Sequence, residues 1–394
     1  MSVTAARLAK IKPSPTLAVT AKAARLKSEG KDIIGLGAGE PDFDTPEHIK
    51  EAAIKAIHDG FTKYTAVDGT AGLKKAIIDK FARDNGLSYA PNQILVSCGG
   101  KQSFYNLAQA LLNPGDEVII PAPYWVSYPD MVILASGKPV IVEAGIDQGF
   151  KITPAQLEAA ITPATRLFVI NSPSNPTGAA YTRAELAALG EVLLRHPQVL
   201  VATDDMYEHI LWTGEPFVNI VNACPELFDR AIVLNGVSKA YSMTGWRIGY
   251  AGGPAKLIGA MKKVQSQSTS NPASISQVAA QAALEGDQSC IATMVKAFKE
   301  RHDFVVETLN AIPGVSCRPS DGTFYAFPNV QRVIDAKAGM KDDLDLAEHL
   351  ITGVGVAMVP GTAFGAPGCI RLSFATSLEK LAEALRRFRE AAST

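Results

Sequence analysis

Five short stretches of this 394-residue chain combine residue types that can hold an anion, a ring and a proton. Cys98, Gly99, Gly100 and Lys101 put two glycines ahead of a run with helical periodicity. Glycines there let backbone N–H groups approach an anion, and the helix dipole adds to the attraction. Pro121, Ala122, Pro123, Tyr124 and Trp125 place aromatics at the exit of an apolar run. Residues 172–178, S-P-S-N-P-T-G, form a stiff loop that presents one amide, Asn175. Asp204, Asp205 and Tyr207 supply two carboxylates and a phenol, and Gly236, Ser238 and Lys239 supply an amine. Together they suit a planar, phosphorylated, basic aromatic cofactor held through a Schiff base by the lysine.

Such groups must converge, so the elements matter next. Each stretch comes after an apolar run of strand length: 94–97, 117–120, 167–171, 199–203 and 231–235; further strands are expected at 139–143 and 247–251. Amphipathic helices are expected between several of them, as at 101–112 and 183–195. Strands alternating with helices predict an α/β unit with a mostly parallel sheet flanked by helices. In open sheets of this kind the ligand site lies outside the carboxyl ends of the strands, where these stretches fall. The remainder reads differently: one long helix over 289–310, short strands near 324–327, 356–359 and 370–374, and a closing helix over 378–392. That predicts a smaller α+β domain. The expected division is a large domain over 45–285 and a small one made of 1–44 and 286–394.

The motifs S-P-S-N-P-T-G, D-D-M-Y-E at 204–208, N-G-V-S-K-A-Y-S-M-T-G-W-R-I-G-Y at 235–250 and I-R-L-S-F-A at 370–375 resemble the fold-type I, class I aminotransferases, enzymes dependent on pyridoxal 5′-phosphate. L-G-A-G-E-P-D-F-D-T-P at 36–46 and P-Y-W-V-S-Y-P at 123–129 resemble the bacterial branch that contains aspartate and aspartate/glutamate–prephenate aminotransferases. The resemblance runs from about Lys12 to the C-terminus. It implies that Lys239 carries the cofactor and moves the α-proton. Asp204 pairs with the pyridine nitrogen, Tyr207 and Asn175 bond the ring oxygen, and Trp125 stacks on the ring. Arg247, Ser238 and the backbone of Gly100 and Lys101 surround the phosphate. Arg371 clamps the substrate α-carboxylate, with Gly39, Trp125 and Asn175 beside it. Lys101 and Lys12 are the candidates for a distal substrate carboxylate. Tyr64 reaches the phosphate of a neighbouring subunit, which implies a homodimer with shared sites. Many relatives carry serine where this chain has Gly236, three residues before the lysine.

An arginine fork fits a carboxylate through two bonds, where lysine acts as a point charge. A carboxylate near the pyridine nitrogen keeps it protonated, so the ring can accept electrons from the α-carbon. Aspartate and 2-oxoglutarate lead as substrates, with prephenate open. Another amino donor such as alanine or an aromatic amino acid, another α-carbon reaction such as a C–S lyase, and a non-catalytic ligand-sensing domain are the alternatives.

Composition narrows the classes. Lys and Arg total 38 and Asp and Glu 39, so the net charge of −1 argues against a protein built to neutralise nucleic acid. No apolar run approaches the roughly 20 residues of a membrane helix. Five scattered cysteines (98, 224, 290, 317 and 369) suggest neither a disulfide framework nor a zinc knuckle, and the six histidines are equally dispersed, so no metal is expected. The first residues lack the apolar core of a secretory signal, which leads to an expected cytoplasmic setting. Residues 35–40 superficially match a dinucleotide fingerprint, but Pro41 and Asp42 stand where a helix should begin.

Overall fold

A computed structural model describes residues 3–393. The short strand β1 (Ile34–Gly35) precedes β2 (Ile94–Ser97), β3 (Glu117–Ala122), β4 (Lys138–Glu143), β5 (Thr165–Asn171), β6 (Leu200–Asp204), β7 (Ala231–Gly236) and β8 (Gly249–Gly252). After them come β9 (Tyr325–Ala326), β10 (Val356–Ala357), β11 (Val359–Pro360) and β12 (Ile370–Ser373). Strands β2 to β8 form one sheet in the order β2-β8-β7-β6-β5-β3-β4. Every pairing among β3 to β7 is parallel, and β8 runs antiparallel to both its neighbours.

The apolar runs are near-continuous because both faces of this sheet are covered. On β2, Ile94 and Val96 enter one core while Leu95 enters the other; on β5, Phe168 and Ile170 alternate with Leu167 and Val169 in the same way. Helices cap cleanly where the sequence allows it. Thr182 accepts from Glu185 N at the start of Arg183–Leu194, and Glu185 returns the bond to the Thr182 backbone.

A third core belongs to the C-terminal part. The long helix Ser289–Asn310 and the closing helix Leu378–Ser393 pack there around Phe298, Phe324, Phe374 and Phe388. The antiparallel sheet β11-β12-β9 and the parallel pair β1-β10 complete this part. The stretch expected as one strand over 356–359 is two, β10 and β11, in different sheets separated by Met358. The strand expected from 247 starts at Gly249 instead. Arg247 has a φ of 59°, a left-handed conformation that cannot continue an extended strand.

Candidate functional site

The carboxyl ends of β5, β6 and β7 lie side by side, so the loops leaving these strands meet one another. The loop after β5 carries Asn175, β6 ends on Asp204 with Tyr207 beyond it, and β7 leads to Ser238 and Lys239. These residues line a cavity of about 370 Å³ together with Gly39, Gly100, Lys101, Trp125, Arg247 and Arg371. That volume falls within the range of small-molecule sites.

Lys239 sits among the buried ends of the sheet, and its Nζ donates to the Gly39 carbonyl at 2.6 Å. Burial brings its pKa down to about 8; Glu40 and Asp204 oppose the shift, and Arg247 and Arg371 add to it. Asp204 faces the same cavity. Burial raises its proton affinity, opposed by the hydroxyl of Tyr128, the Met206 N–H and the charge of Lys239. Its neighbour Asp205 points elsewhere: Thr203 Oγ1 donates to it at 2.6 Å and Asn219 Nδ2 at 2.7 Å. Desolvation, with Glu208 nearby, pushes Asp205 up to about 7.

Arg371 is only 2% exposed and has no carboxylate partner among the described residues. One Nη donates to Asn175 Oδ1 at 2.9 Å and the other to the Gly37 carbonyl at 2.7 Å, while Nε has no partner. The guanidinium lies 4.5 Å from the Tyr325 ring centroid and 5.0 Å from that of Phe364. Burial lowers its pKa. A buried cation without an anion is costly, so this geometry selects an anionic ligand. Tyr207 places its hydroxyl 2.9 Å from that of Tyr325, and burial raises the pKa of both.

At the other end of the cavity the helix Gly100–Leu111 begins. The backbone N–H groups of Gly100 and Lys101 find no acceptor among the described residues, as expected of a helix start. Gly99 adopts a φ of +89°, and a Cβ there would lie 2.3 Å from the Arg247 guanidinium. Arg247 is held by the carbonyls of Thr244 at 2.9 Å and Cys98 at 3.3 Å. Lys101 Nζ lies 5.3 Å from the Trp125 ring centroid, and burial with the nearby Arg247 lowers its pKa. The glycine three residues before Lys239 has a packing reason. A Cβ on Gly236 would stand 3.0 Å from the Ile248 carbonyl and 3.1 Å from Gly249 Cα, where β7 meets β8.

Two expected residues lie outside this cavity, and one of them, Tyr64, was expected at a neighbouring subunit's site and not at this one. Tyr64 is 93% exposed and does not line its own chain's cavity. Lys12 is also absent from the lining; its backbone N–H bonds Asp130, and Thr16 and Leu17 approach the cavity instead. Sequence reasoning missed Asn171, Tyr325 and Tyr128. Asn171 ties two loops, since Nδ2 donates to the Asp204 carbonyl at 2.8 Å and Oδ1 accepts from Asn175 N at 2.8 Å. A polar residue closing an apolar strand was its only signal. Behind the site, Asp84, Glu208 and His209 gather their ligand atoms within 4.8 Å. Glu208 there already accepts from Lys80, from Asn85 at 2.6 Å and from Asn235 at 2.8 Å, so a lysine ammonium supplies the cation.

Comparison with known proteins gives findings of three kinds. The family model for aminotransferase class I and II matches residues 31–388. A Nitrosomonas europaea protein named aspartate/prephenate aminotransferase is 63% identical over 386 residues, 97% of each chain. One of the same name from Cereibacter sphaeroides is 58% identical over 96% of each. Among solved structures, the aspartate aminotransferase from Rhizobium meliloti superposes with a TM-score of 0.96 at 51% identity, covering 100% of this chain and 99% of that one. The Thermus thermophilus aspartate aminotransferase with maleate gives 0.93 at 43% identity, covering 99% and 100%.

Proposed function

The chain belongs to the class I and II aminotransferases, and from that premise we propose that it moves the amino group of aspartate to 2-oxoglutarate in two half-reactions with pyridoxal 5′-phosphate as carrier. The observation that carries this reading is one cavity shared by an amine of lowered pKa (Lys239), a half-buried carboxylate of raised proton affinity (Asp204) and a buried arginine with no counter-ion among the described residues (Arg371).

The residues fit the cofactor. The unpartnered N–H groups of Gly100 and Lys101, with Arg247 beside them, suit a phosphate. Asp204 would face a protonated ring nitrogen, Trp125 would cover the ring, Asn175 and Tyr207 would take its oxygen, and Ser238 would join the groups that hold the phosphate. When bound, pyridoxal phosphate supplies a ring that takes up the electron pair left on the substrate α-carbon. The chain does the rest. Arg371 binds the α-carboxylate through its fork and so fixes the direction of the Cα–H bond. Lys239, its pKa lowered to about 8, is neutral often enough near neutrality to take that proton at Nζ and carry it as the general acid and base of the exchange. Gly39 contributes its carbonyl, already bonded to Nζ at 2.6 Å, as an orienting group. Lys101 is the second lysine that lines the cavity, beside Lys239, and we assign it the distal carboxylate of aspartate and glutamate.

The same reading includes a homodimer in which Tyr64 of each subunit completes the other's phosphate site, the division into domains 45–285 and 1–44 with 286–394, and a cytoplasmic setting. No described helix is long and apolar enough to cross a membrane. Prephenate as a second acceptor is favoured by the names of the relatives at 63% and 58% identity. A half-reaction panel tests the proposal: aspartate, glutamate, alanine, phenylalanine and arogenate are offered singly to the loaded enzyme while cofactor absorbance is followed. Aspartate and glutamate should convert it. Conversion by alanine or phenylalanine alone would reject the dicarboxylate assignment.

A further inference from the structure

Tyr128 touches the cavity only through others. It is 2% exposed, in the helix Ser127–Leu134, and its hydroxyl donates to Asp204 Oδ2. Its ring meets Trp125 edge-on, with centroids 5.1 Å apart at 87°, and packs on Phe104 at 4.8 Å. The second oxygen of Asp204 accepts a 3.3 Å bond from Met206 N, which is long by comparison. The tyrosine hydroxyl is therefore the dominant constraint on how the carboxylate is turned. Trp125 also carries Lys101 Nζ 5.3 Å from its ring centroid and packs against the core that holds Phe104 and Tyr128.

We infer that Tyr128 is a positioning residue that sets both side chains meant for the cofactor ring, turning the Asp204 carboxylate through its hydroxyl and holding Trp125 through its ring edge. The inference rests on the pyridoxal phosphate reading above. Its logic is electrostatic as well as geometric. A hydrogen bond to a carboxylate favours the ionised form, and Asp204 must stay ionised in a desolvated site to keep a ring nitrogen protonated. Lys239 is the charged group facing Asp204 across the cavity, and Tyr207 and Asp205 are the titratable neighbours of the Tyr128–Asp204 pair. Neither neighbour donates to Asp204: the Tyr207 hydroxyl pairs with Tyr325, and Asp205 accepts from Thr203 and Asn219. Among the described residues the Tyr128 hydroxyl is the side-chain donor to the Asp204 carboxylate, beside the longer Met206 N–H bond.

The test uses full-length apoenzyme: wild type, Tyr128→Phe, Asp204→Asn and the double variant. Two quantities are read, the dissociation constant for pyridoxal phosphate and the pH midpoint at which the bound cofactor's visible absorbance changes. Phenylalanine keeps the ring against Trp125 and Phe104 and removes only the donor. Tyr128→Phe should weaken cofactor binding by about 10- to 100-fold, the range of one hydrogen bond to a charged group. It should also move the pH midpoint by about one unit. In the Asp204→Asn background the same change should have less than about a two-fold effect, because there is no charge left to turn. Unchanged binding and midpoint in Tyr128→Phe, or an equal loss in both backgrounds, overturns the inference. If Tyr128→Phe does not fold, the double variant decides. Folding of the double variant alone shows that the hydroxyl acts on the carboxylate, and failure of both refutes it. A wild-type protein that shows no cofactor absorbance on adding pyridoxal phosphate rejects the functional reading instead.

Discussion

Lys239 and Asp204 show how burial turns ordinary side chains into reagents. Desolvation holds the lysine at about 8, so pyridoxal phosphate capture by the apoenzyme should accelerate with pH and level off above that value. Stopped-flow absorbance should find it roughly a hundred-fold slower at pH 6 than on the plateau, since the neutral amine falls ten-fold per unit. The linkage has a definite sign. Between about 8 and the ordinary lysine value of 10.5 the unfolded chain binds more protons than the folded one, so apoenzyme stability should rise with pH across that window. Lys239→Ala should lower turnover by about 10²- to 10⁴-fold or more while still binding the cofactor noncovalently. Of the two adjacent aspartates only Asp204 faces the cavity, so Asp204→Asn should lose most activity and Asp205→Asn little. The reverse order in steady-state kinetics would show that the wrong carboxylate has been chosen. Arg371→Lys should impair every amino donor alike, whereas Lys101→Ala should mainly raise KM for dicarboxylic ones, by an interaction of roughly 1.5–3 kcal/mol.

The elements hold these side chains through contacts that carry no chemistry. Strands β7 and β8 approach so closely at Gly236 that a serine Cβ would press on the Ile248 carbonyl, Gly249 Cα and the Met206 methyl, each of which must give by a few tenths of an ångström. Gly236→Ser should therefore destabilise the protein by about 1–3 kcal/mol in urea unfolding, with weaker cofactor binding because β7 leads to Lys239. Behind the site, Lys80 (1% exposed) and Glu208 join the helix Ala71–Asn85 to the loop after β6, and Asn235 ties β7 to the same carboxylate. This network fixes the chain segments leaving β6 and β7, next to Asp204 and Lys239, relative to each other. Lys80→Met would leave Glu208 buried and uncompensated, and a loss of about 3–5 kcal/mol is expected. The element types along the main sheet were legible because both its faces are covered and its strands read as unbroken apolar runs. Strand ends were less legible. β3 runs on through Pro121 to Ala122, and β8 starts late because Arg247 turns left-handed.

At the scale of the whole molecule, the cavity draws on both ends of the sequence, with Gly39 before the main sheet and Arg371 far beyond it. Tyr64 stands 93% exposed, which suits a side chain meant for a second subunit. Mixing Tyr64→Ala chains with Lys239→Ala chains should restore activity, because each heterodimer would assemble one site with both residues native. A monomer with full activity in sedimentation and kinetics would reject the shared site.

The sequence by itself determined the α/β alternation, the family resemblance and the residues that gather at the strand ends. Those arise from local rules: apolar period, glycine before a helix, and motifs in which chemistry and chain order coincide. Tertiary structure alone decided which groups act on one another. Whether Arg371 has a counter-ion and why residue 236 carries no side chain are facts about neighbours distant in sequence. Burial, which sets the proton affinity of Lys239 and Asp204, is likewise a property of the packed whole. Tyr128 and Asn171 escaped notice for the same reason, since their partners on Asp204 lie 76 and 33 residues away along the chain and meet them only once the strands are assembled side by side.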